Sequence, residues 1–369
     1  MRKLIVTTAS FLFAAVTTAQ MDVPPVAGNP RASISEEVGI TSIEINYSRP
    51  DVSKREGKIY GEGNVVTYGF STFSFITNKN TAPWRAGANE NTTVTFEHDV
   101  KVEGKELKAG IYGLHMAMGT DNVTLIFSHK HDAWGSFYYE EKYDALRVNV
   151  KPVTLDKSVE WLKYEFIEHG EKHCVIAMQW EKIAVPFKVE VDVDNIVLAR
   201  LKDQVTSQKG FNSTNMIQAS QWCFNKNINL EEALGWAQRA VAGFNGQKSY
   251  PSLRNLAVGY EKLNRLTQAD SVMKEALTMA AVNQYAGYAR ALITQKRADK
   301  SLETLEAAKT KFGDVFAINN AMSFAYSAKA DYKKAQEYAE KALAQAPEQQ
   351  KTTISANISK LKDGKDINQ

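Results

Sequence analysis

The chain has 369 residues, enough for two or three domains of ordinary size. Its composition is 44% hydrophobic, 24% charged and 10% aromatic, with 21 glycines and two cysteines. These values exclude a disordered chain, a collagen-like fibre and a small disulfide-stapled domain. The formal net charge of +3 does not indicate the strongly basic surface of a nucleic-acid-binding protein, so we expect no nucleic-acid partner.

The N-terminus has the pattern of a secretory signal peptide. Arg2 and Lys3 precede an apolar stretch at residues 4–16, and small residues follow up to Ala19. A short cationic segment, an apolar core and small residues before the cleavage point define such leaders. We expect residues 1–19 to be removed by cleavage after Ala19. Because the apolar stretch is shorter than the roughly 20 residues that span a bilayer, we predict a periplasmic or secreted protein without a membrane span after cleavage.

Residues 31–192 alternate between apolar and polar side chains, which is typical of strands with one buried face. Ile43 and Ile45 show this period of two, and the stretches 174–180 and 185–191 form two of the later runs. Turn-forming residues separate the runs, so we expect about nine or ten short strands. The pattern predicts an antiparallel β-sandwich of jelly-roll or immunoglobulin-like class, although a partly open barrel gives the same pattern.

The second half changes to a helical period, and alanine becomes frequent. Residues 193–210 are predicted to form a helical linker. Beyond it a short motif recurs four times, with its anchors at intervals of 36, 32 and 34 residues: Ala233, Ala269, Ser301 and Ala335. Small residues on one helix face allow two helices to pack closely.

The mean interval of 34 residues is the period of the tetratricopeptide repeat (TPR). Residues 211–346 resemble this family in about four units. The resemblance implies an array of paired helices that binds proteins or peptides, and an ordinary helical bundle is the alternative. After Pro347, residues 347–369 are expected to form a C-terminal tail.

Four motifs in the β-rich half occur together in a known family. They are Asn-Tyr-Ser-Arg-Pro at 46–50, Gly-Lys-Ile-Tyr-Gly at 57–61, Trp-Arg-Ala-Gly-Ala-Asn-Glu-Asn-Thr at 84–92 and Gly-Ile-Tyr-Gly-Leu at 110–114. Residues 31–191 resemble DUF2911, a family of exported bacterial domains of unknown function that is common in Bacteroidetes. The resemblance implies an envelope location, and it supplies no catalytic residues.

The stretch 84–92 combines an aromatic ring, a guanidinium, amides and a carboxylate, and it lacks the alternation of a strand. Arg85 offers a planar fork of donors suited to a carboxylate or phosphate, and Asn89 and Glu90 are candidates to complete a polar pocket. One interpretation is ligand recognition where loops gather at the end of the sandwich. The other is a structural role, in which Arg85 pairs with Glu90 and Trp84 fills the core.

Three residues upstream are further candidates for ligand contacts: Arg49, Lys58 and Tyr60. Arg49 and Lys58 flank a segment that is too irregular for a strand, and they are positioned to add positive charge to a pocket. The alternative is a solvated loop.

We expect neither a metal nor another cofactor, and no disulfide. His129 and His131, beside Asp132, form the one close histidine pair, but they lie in a loop-like stretch without a metal-binding motif. Cys174 and Cys223 lie in different predicted domains, so two buried thiols are expected.

These patterns leave three hypotheses about function. The first is an exported, non-enzymatic envelope protein that binds or scaffolds a protein or peptide through the repeats, with a sandwich that binds a small ligand near Trp84–Thr92. The second is an envelope hydrolase acting on carbohydrate or peptide, with Arg85, Asn89 and Glu90 at its site. The third makes the sandwich only a spacer. The sequence has no nucleophile elbow, Walker motif or dinucleotide fingerprint, which favours the first.

Overall fold

The computed structural model of the protein describes residues 28–72 and 81–369. The predicted signal peptide lies outside the described residues. The chain divides into two compact units, Met1–Val197 and Leu198–Gln369.

Among the described residues, the first unit contains twelve strands and one short 3-10 helix, Glu141–Tyr143. The strands are β1 Arg31–Val38, β2 Thr41–Ser48, β3 Ser71–Thr72, β4 Thr81–Ala82, β5 Thr92–Phe96, β6 Val100–Val102, β7 Lys105–Leu107, β8 Gly110–Ala117, β9 Val123–Ser128, β10 Asp144–Val150, β11 Val153–Gly170 and β12 His173–Val191.

The strands form two main antiparallel sheets that share one hydrophobic core. The larger sheet has the order β1-β2-β5-β8-β9-β10, the second has the order β11-β12-β6-β7, and β3 pairs with β4. Ile43 and Ile45 of β2 are fully buried, as the period of two predicts, and they belong to the same core cluster as Phe187 of β12. Antiparallel sheets followed by helices confirm the predicted fold class, while the jelly-roll or immunoglobulin-like type stays a prediction.

The last two strands are longer than the sequence predicted. The stretches 174–180 and 185–191, expected as separate runs, form the single strand β12. Glu181 adopts a positive φ of 51°, and the pairing of β12 with β11 shifts register at this point. A bulge of this kind bends a strand without ending it. The interruption in the alternation therefore marks an irregularity and not a turn.

The second half is helical, beginning with α1 in the segment predicted as a linker. A 3-10 helix, Gln208–Phe211, follows α1. The α-helices are α1 Val193–Thr206, α2 Ser213–Lys226, α3 Leu230–Ala242, α4 Tyr250–Lys262, α5 Leu266–Thr278, α6 Val282–Thr294, α7 Ala298–Phe312, α8 Phe316–Ala328, α9 Tyr332–Gln345 and α10 Glu348–Lys362.

Helices α2 to α9 form four consecutive pairs, and the motif anchors lie inside them. All four anchors are fully buried: Ala233, Ala269, Ser301 and Ala335. Several hydrogen bonds join residues 34 positions apart, namely Glu231 with Arg265, Tyr250 with Gln284, and Glu261 with Gln295. Successive units therefore contact one another, as expected of stacked repeats.

The segment 347–369, predicted as a tail, instead contains helix α10, which packs against α9. Ile354, Ile358 and Leu361 are buried at the i, i+4, i+7 spacing of one helix face. The remaining residues of α10 are mostly polar, so the apolar stripe is narrow and gave a weak sequence signal. A polar terminal helix of this kind covers the open end of a repeat array.

No helix in the described part of the chain is long and apolar enough to cross a membrane.

Candidate functional site

The loop 83–91, between β4 and β5, carries four of the predicted site residues and is tightly held. The Trp84 N–H donates to the carbonyl oxygen of Met116 in β8 at 3.0 Å, and the Met116 N–H donates back at 2.8 Å. At Gly87 a Cβ atom would lie 2.6 Å from Oγ1 of Thr92, so this position has no room for a side chain. The loop therefore presents its side chains from a rigid backbone.

Trp84 is part of an aromatic cluster. Its ring stacks on the fully buried Trp180 with centroids 6.0 Å apart and an interplanar angle of 20°, and Tyr60 meets both rings edge-on. The indole N–H of Trp84 donates to the carbonyl oxygen of Gly87 at 3.1 Å. The indole N–H of Trp180 has no acceptor among the described residues. One strong donor beside the loop is thus buried and unsatisfied.

Arg85 is half-buried next to these rings. Its Nη1 donates to the carbonyl oxygen of Asn89 at 2.7 Å, and its guanidinium lies 4.6 Å from the ring centroid of Phe137. Gly135, with φ of 62°, makes room for it, because a Cβ atom there would lie 2.4 Å from the guanidinium carbon. Burial lowers the pKa of Arg85. In the part of the chain that the structure describes, no carboxylate forms an ion pair with this cation.

The predicted pairing of Arg85 with Glu90 is wrong. The Glu90 carboxylate accepts a hydrogen bond from the Ser48 hydroxyl at 3.3 Å and lies 3.9 Å from the guanidinium of Arg31. Asn89, between the two residues, adopts a left-handed conformation with φ of 57°. This turn directs the neighbouring side chains to different partners, and Arg85 keeps its charge uncompensated.

A cleft of about 320 Å³ opens beside the loop. Its walls include Trp84, Arg85, Asn89, Ser136 and Trp180. The structure therefore brings three predicted site residues together and adds two that the sequence did not indicate. No motif could have linked Ser136 and Trp180 to the loop, because they belong to distant segments.

Behind the cleft, His115 holds the side chain of Ser136. The Nδ1 atom of His115 lies 3.0 Å from the Ser136 hydroxyl, and both residues are buried. Burial, helped by the positive charge of Arg85, lowers the pKa of His115 to about 4. The imidazole is therefore neutral at neutral pH. It adds no charge to the cleft and fixes the orientation of one hydroxyl group.

The remaining predicted ligand residues lie elsewhere. Arg49 donates from Nε to the carbonyl oxygen of Leu162 at 2.8 Å, and Lys58 is exposed. Tyr60 supports the cleft from behind, since its hydroxyl donates to the carbonyl oxygen of Trp180 at 3.4 Å. Burial raises the pKa of Tyr60 far above its usual range. Arg49 and Lys58 are thus not among the residues that line the cleft.

Both cysteines, Cys174 and Cys223, are buried free thiols. Residues 28–72 and 81–369 contain no group of three histidine, cysteine or acidic side chains placed to hold a metal ion. His129 instead packs against the ring of Tyr112, with centroids 5.4 Å apart.

A second concave surface lies on the helical unit, between α6 and α8. It encloses about 410 Å³, and Asn283, Arg290 and Asn320 line it together with Gly287. A Cβ atom at Gly287 would meet nothing within 4 Å, so the groove is open there. The guanidinium of Arg290 lies 3.6 Å from the ring centroid of Phe324, and burial lowers the pKa of this arginine.

The cleft and the groove lie in different units, and comparison with known proteins gives a different kind of match for each unit. Residues 29–189 match the family model DUF2911, described as a protein of unknown function. All residues that line the cleft lie within this matched stretch. No curated protein matches the chain.

Two of the solved structures similar to the chain are described as TPR proteins. One is TTC0263, a thermophilic TPR protein of Thermus thermophilus, at 16% identity and a TM-score of 0.32, with 46% of this chain and 90% of that chain covered. Another is YrrB, described as a TPR protein with an unusual peptide-binding site, at 12% identity and a TM-score of 0.29. The match covers 44% of this chain and 84% of YrrB. A chain of the APC/C hetero-tetramer Cut9–Hcn1 is similar at 15% identity and a TM-score of 0.32. The protein described here spans 33% of the length of that chain.

Proposed function

We propose that the protein is an exported, non-enzymatic binding protein whose helical repeats hold a peptide or an extended protein segment between α6 and α8. The observation that carries the proposal is the groove with Arg290 on its wall. Stacked helical repeats create elongated concave surfaces, and such surfaces are suited to extended partners.

The groove offers the groups that an extended peptide needs. The amides of Asn283 and Asn320 each provide donors and an acceptor for peptide backbone groups. Arg290 forms no ion pair with a carboxylate within the described residues, so its charge is available to an acidic side chain or a C-terminal carboxylate. Gly287 leaves space where any other residue would project into the groove.

The alternative of a hydrolase at Arg85, Asn89 and Glu90 has weaker support. It needs the Glu90 carboxylate beside Arg85, and the structure places that carboxylate on Ser48 and Arg31. General acid or base chemistry requires the group to reach the substrate within hydrogen-bond distance. A binding role for this unit fits its geometry better.

The binding part of the proposal is tested by selecting linear peptides from a random library on the mature chain. Arg290→Glu reverses the groove charge, and Lys274→Glu makes the same change at an exposed position of α5. We expect enriched peptides to lose about tenfold or more in affinity on Arg290→Glu and to bind normally to Lys274→Glu. Peptides that bind both variants equally, or a selection that enriches none, would refute the proposed groove.

The export part has its own test. The protein is recovered from the periplasm or the medium and its N-terminus is sequenced. We expect Gln20 as the first residue, because the predicted cleavage follows Ala19. An intact N-terminus, or recovery only from the cytoplasm, would overturn this part without affecting the groove.

A further inference from the structure

We infer that the cleft of the DUF2911 domain binds a small organic oxyanion, a carboxylate or phosphate attached to an aromatic or apolar group. This inference concerns a different unit from the peptide groove and does not depend on it. It rests on an uncompensated cation, an unsatisfied buried donor and an aromatic wall, which meet at one cavity.

The cation sets the sign of the ligand charge. Arg85 is half-buried, and within the described chain its one hydrogen bond goes to the backbone of Asn89. The guanidinium has five N–H donors, so most of them remain available. A partly desolvated charge without a partner is unfavourable, and an oxyanion that accepts two parallel hydrogen bonds removes this cost. The contact of the Arg85 guanidinium with the ring of Phe137, 4.6 Å from its centroid, helps to hold the cation in place.

The aromatic wall of the cleft determines the chemical character of the uncharged part of the ligand. Trp84 and Trp180 stack on each other and both line the cleft, which favours an apolar or aromatic body. The Trp180 indole N–H is fully buried and lacks an acceptor in the described residues. Leaving such a donor unsatisfied is costly, and a ligand oxygen is the kind of group that would satisfy it.

The remaining features make the cleft a preformed site. The Ser136 hydroxyl is held by neutral His115 at 3.0 Å, and Gly87 and Gly135 leave room for the loop backbone and for the guanidinium. Rigid donors reduce the entropic cost of binding. The volume of about 320 Å³ lies at the small end of the range for ligand pockets, so it suits a small molecule and not a polymer.

Isothermal titration calorimetry of the mature chain tests this inference with three probes of similar shape. Benzoate and phenyl phosphate carry the two oxyanions, and benzamide is the neutral control. We expect one or both anions to bind about tenfold or more tightly than benzamide. The comparison between benzoate and phenyl phosphate identifies which oxyanion the cleft prefers.

Two variants locate the effect. Arg85→Gln removes the cleft cation that has no acidic partner among the described residues, since Arg55, which also lines the cleft, is paired with Asp51. Arg31→Gln removes a cation of the same unit whose side chain is 73% exposed and which does not line the cleft. We expect Arg85→Gln to weaken anion binding about tenfold or more and Arg31→Gln to leave it unchanged. If Arg85→Gln does not fold, Trp180→Phe replaces it, and a loss of affinity for the anions is expected there as well.

The inference is overturned by any of three results. These are benzamide binding as tightly as the anions, neither anion binding at millimolar concentration, or anion binding that survives Arg85→Gln unchanged. The first and second need only the unmodified protein, so they decide the question even if a variant is unstable. Peptide selection on Arg290→Glu is unaffected by these outcomes, because that groove lies in the other unit.

Discussion

The contact of α4 with the first repeat makes Gly259 a sensitive position. A Cβ atom at Gly259 would lie 2.6 Å from Cζ of Phe224 and 2.9 Å from Cδ1 of Leu234. Carbon atoms in protein cores pack at about 3.5–4.0 Å. Because Phe224 is fully buried, its ring has no free space into which to move. The substitution Gly259→Ala therefore overpacks the interface between the helices.

Two opposing effects set the size of this change. Alanine is favoured over glycine inside a helix by about 1 kcal/mol, and overpacking a core costs about 1–3 kcal/mol. We expect Gly259→Ala to lower the free energy of unfolding by up to about 2 kcal/mol. Gly235 in α3 is the matched control, because a Cβ atom there would meet nothing within 4 Å. Gly235→Ala should raise stability by about 0.5–1 kcal/mol.

Urea unfolding followed by helical circular dichroism measures both variants beside the unmodified chain. The expected gap between them is about 1–3 kcal/mol, and each kcal/mol corresponds to about 2–4 °C in the melting temperature of a unit of this size. Equal urea dependence of the three proteins would show that the same structure unfolds in each. If Gly259→Ala is as stable as Gly235→Ala, the close approach of α4 to Phe224 and Leu234 is incorrect.

Three further predictions concern single buried side chains. Ser301→Ala loses a hydrogen bond of 2.8 Å from the serine hydroxyl to the carbonyl oxygen of Ala289. Because alanine occupies this position in the other repeats, the free energy of unfolding in urea should change by less than about 1 kcal/mol. A larger loss of stability would contradict the equivalence of the repeats. The pKa of His115, about 4, lies below the value of about 6.5 in an unfolded chain, so its contribution to stability is complete above pH 6.5 and is lost as the pH falls towards 4. Melting temperatures of His115→Gln should accordingly fall less over this range, and an identical pH profile would argue against a buried neutral imidazole. Burial raises the pKa of Cys174 to about 12 and that of Cys223 to about 11. Mass spectrometry should therefore find that iodoacetamide modifies neither thiol in the native protein and both thiols in urea. Labelling of the native protein would show that a thiol is accessible.

The sequence predicted the classes of element well where a regular period was present. In β2 the alternation placed Ile43 and Ile45 on the buried face, and both are fully buried. The repeat anchors are likewise fully buried on one face of their helices, as at Ala233 and Ala269. Both signals are local, because the pitch of a strand or helix decides which residues share a face.

The sequence failed where the local signal was weak or ambiguous. The bulge at Glu181 resembles a turn, since both interrupt the alternation, and only the continued pairing of β12 shows the difference. The three buried residues of α10 were too few to distinguish a covering helix from a tail. In each case the decisive information is the neighbouring element and not the segment itself.

By itself the sequence determined the order of the strand-rich and helical parts and the repeat interval. Only the tertiary structure decided which groups share the cleft, because Arg85, Ser136 and Trp180 come from three separate segments, and His115, which holds Ser136 from behind, comes from a fourth. It also decided that Arg85 has no acidic partner among the described residues. Arg85 and Glu90 are five positions apart in a loop, so the path of the backbone between them decides whether their side chains meet. That path is fixed by the packing of strands that are distant in the sequence.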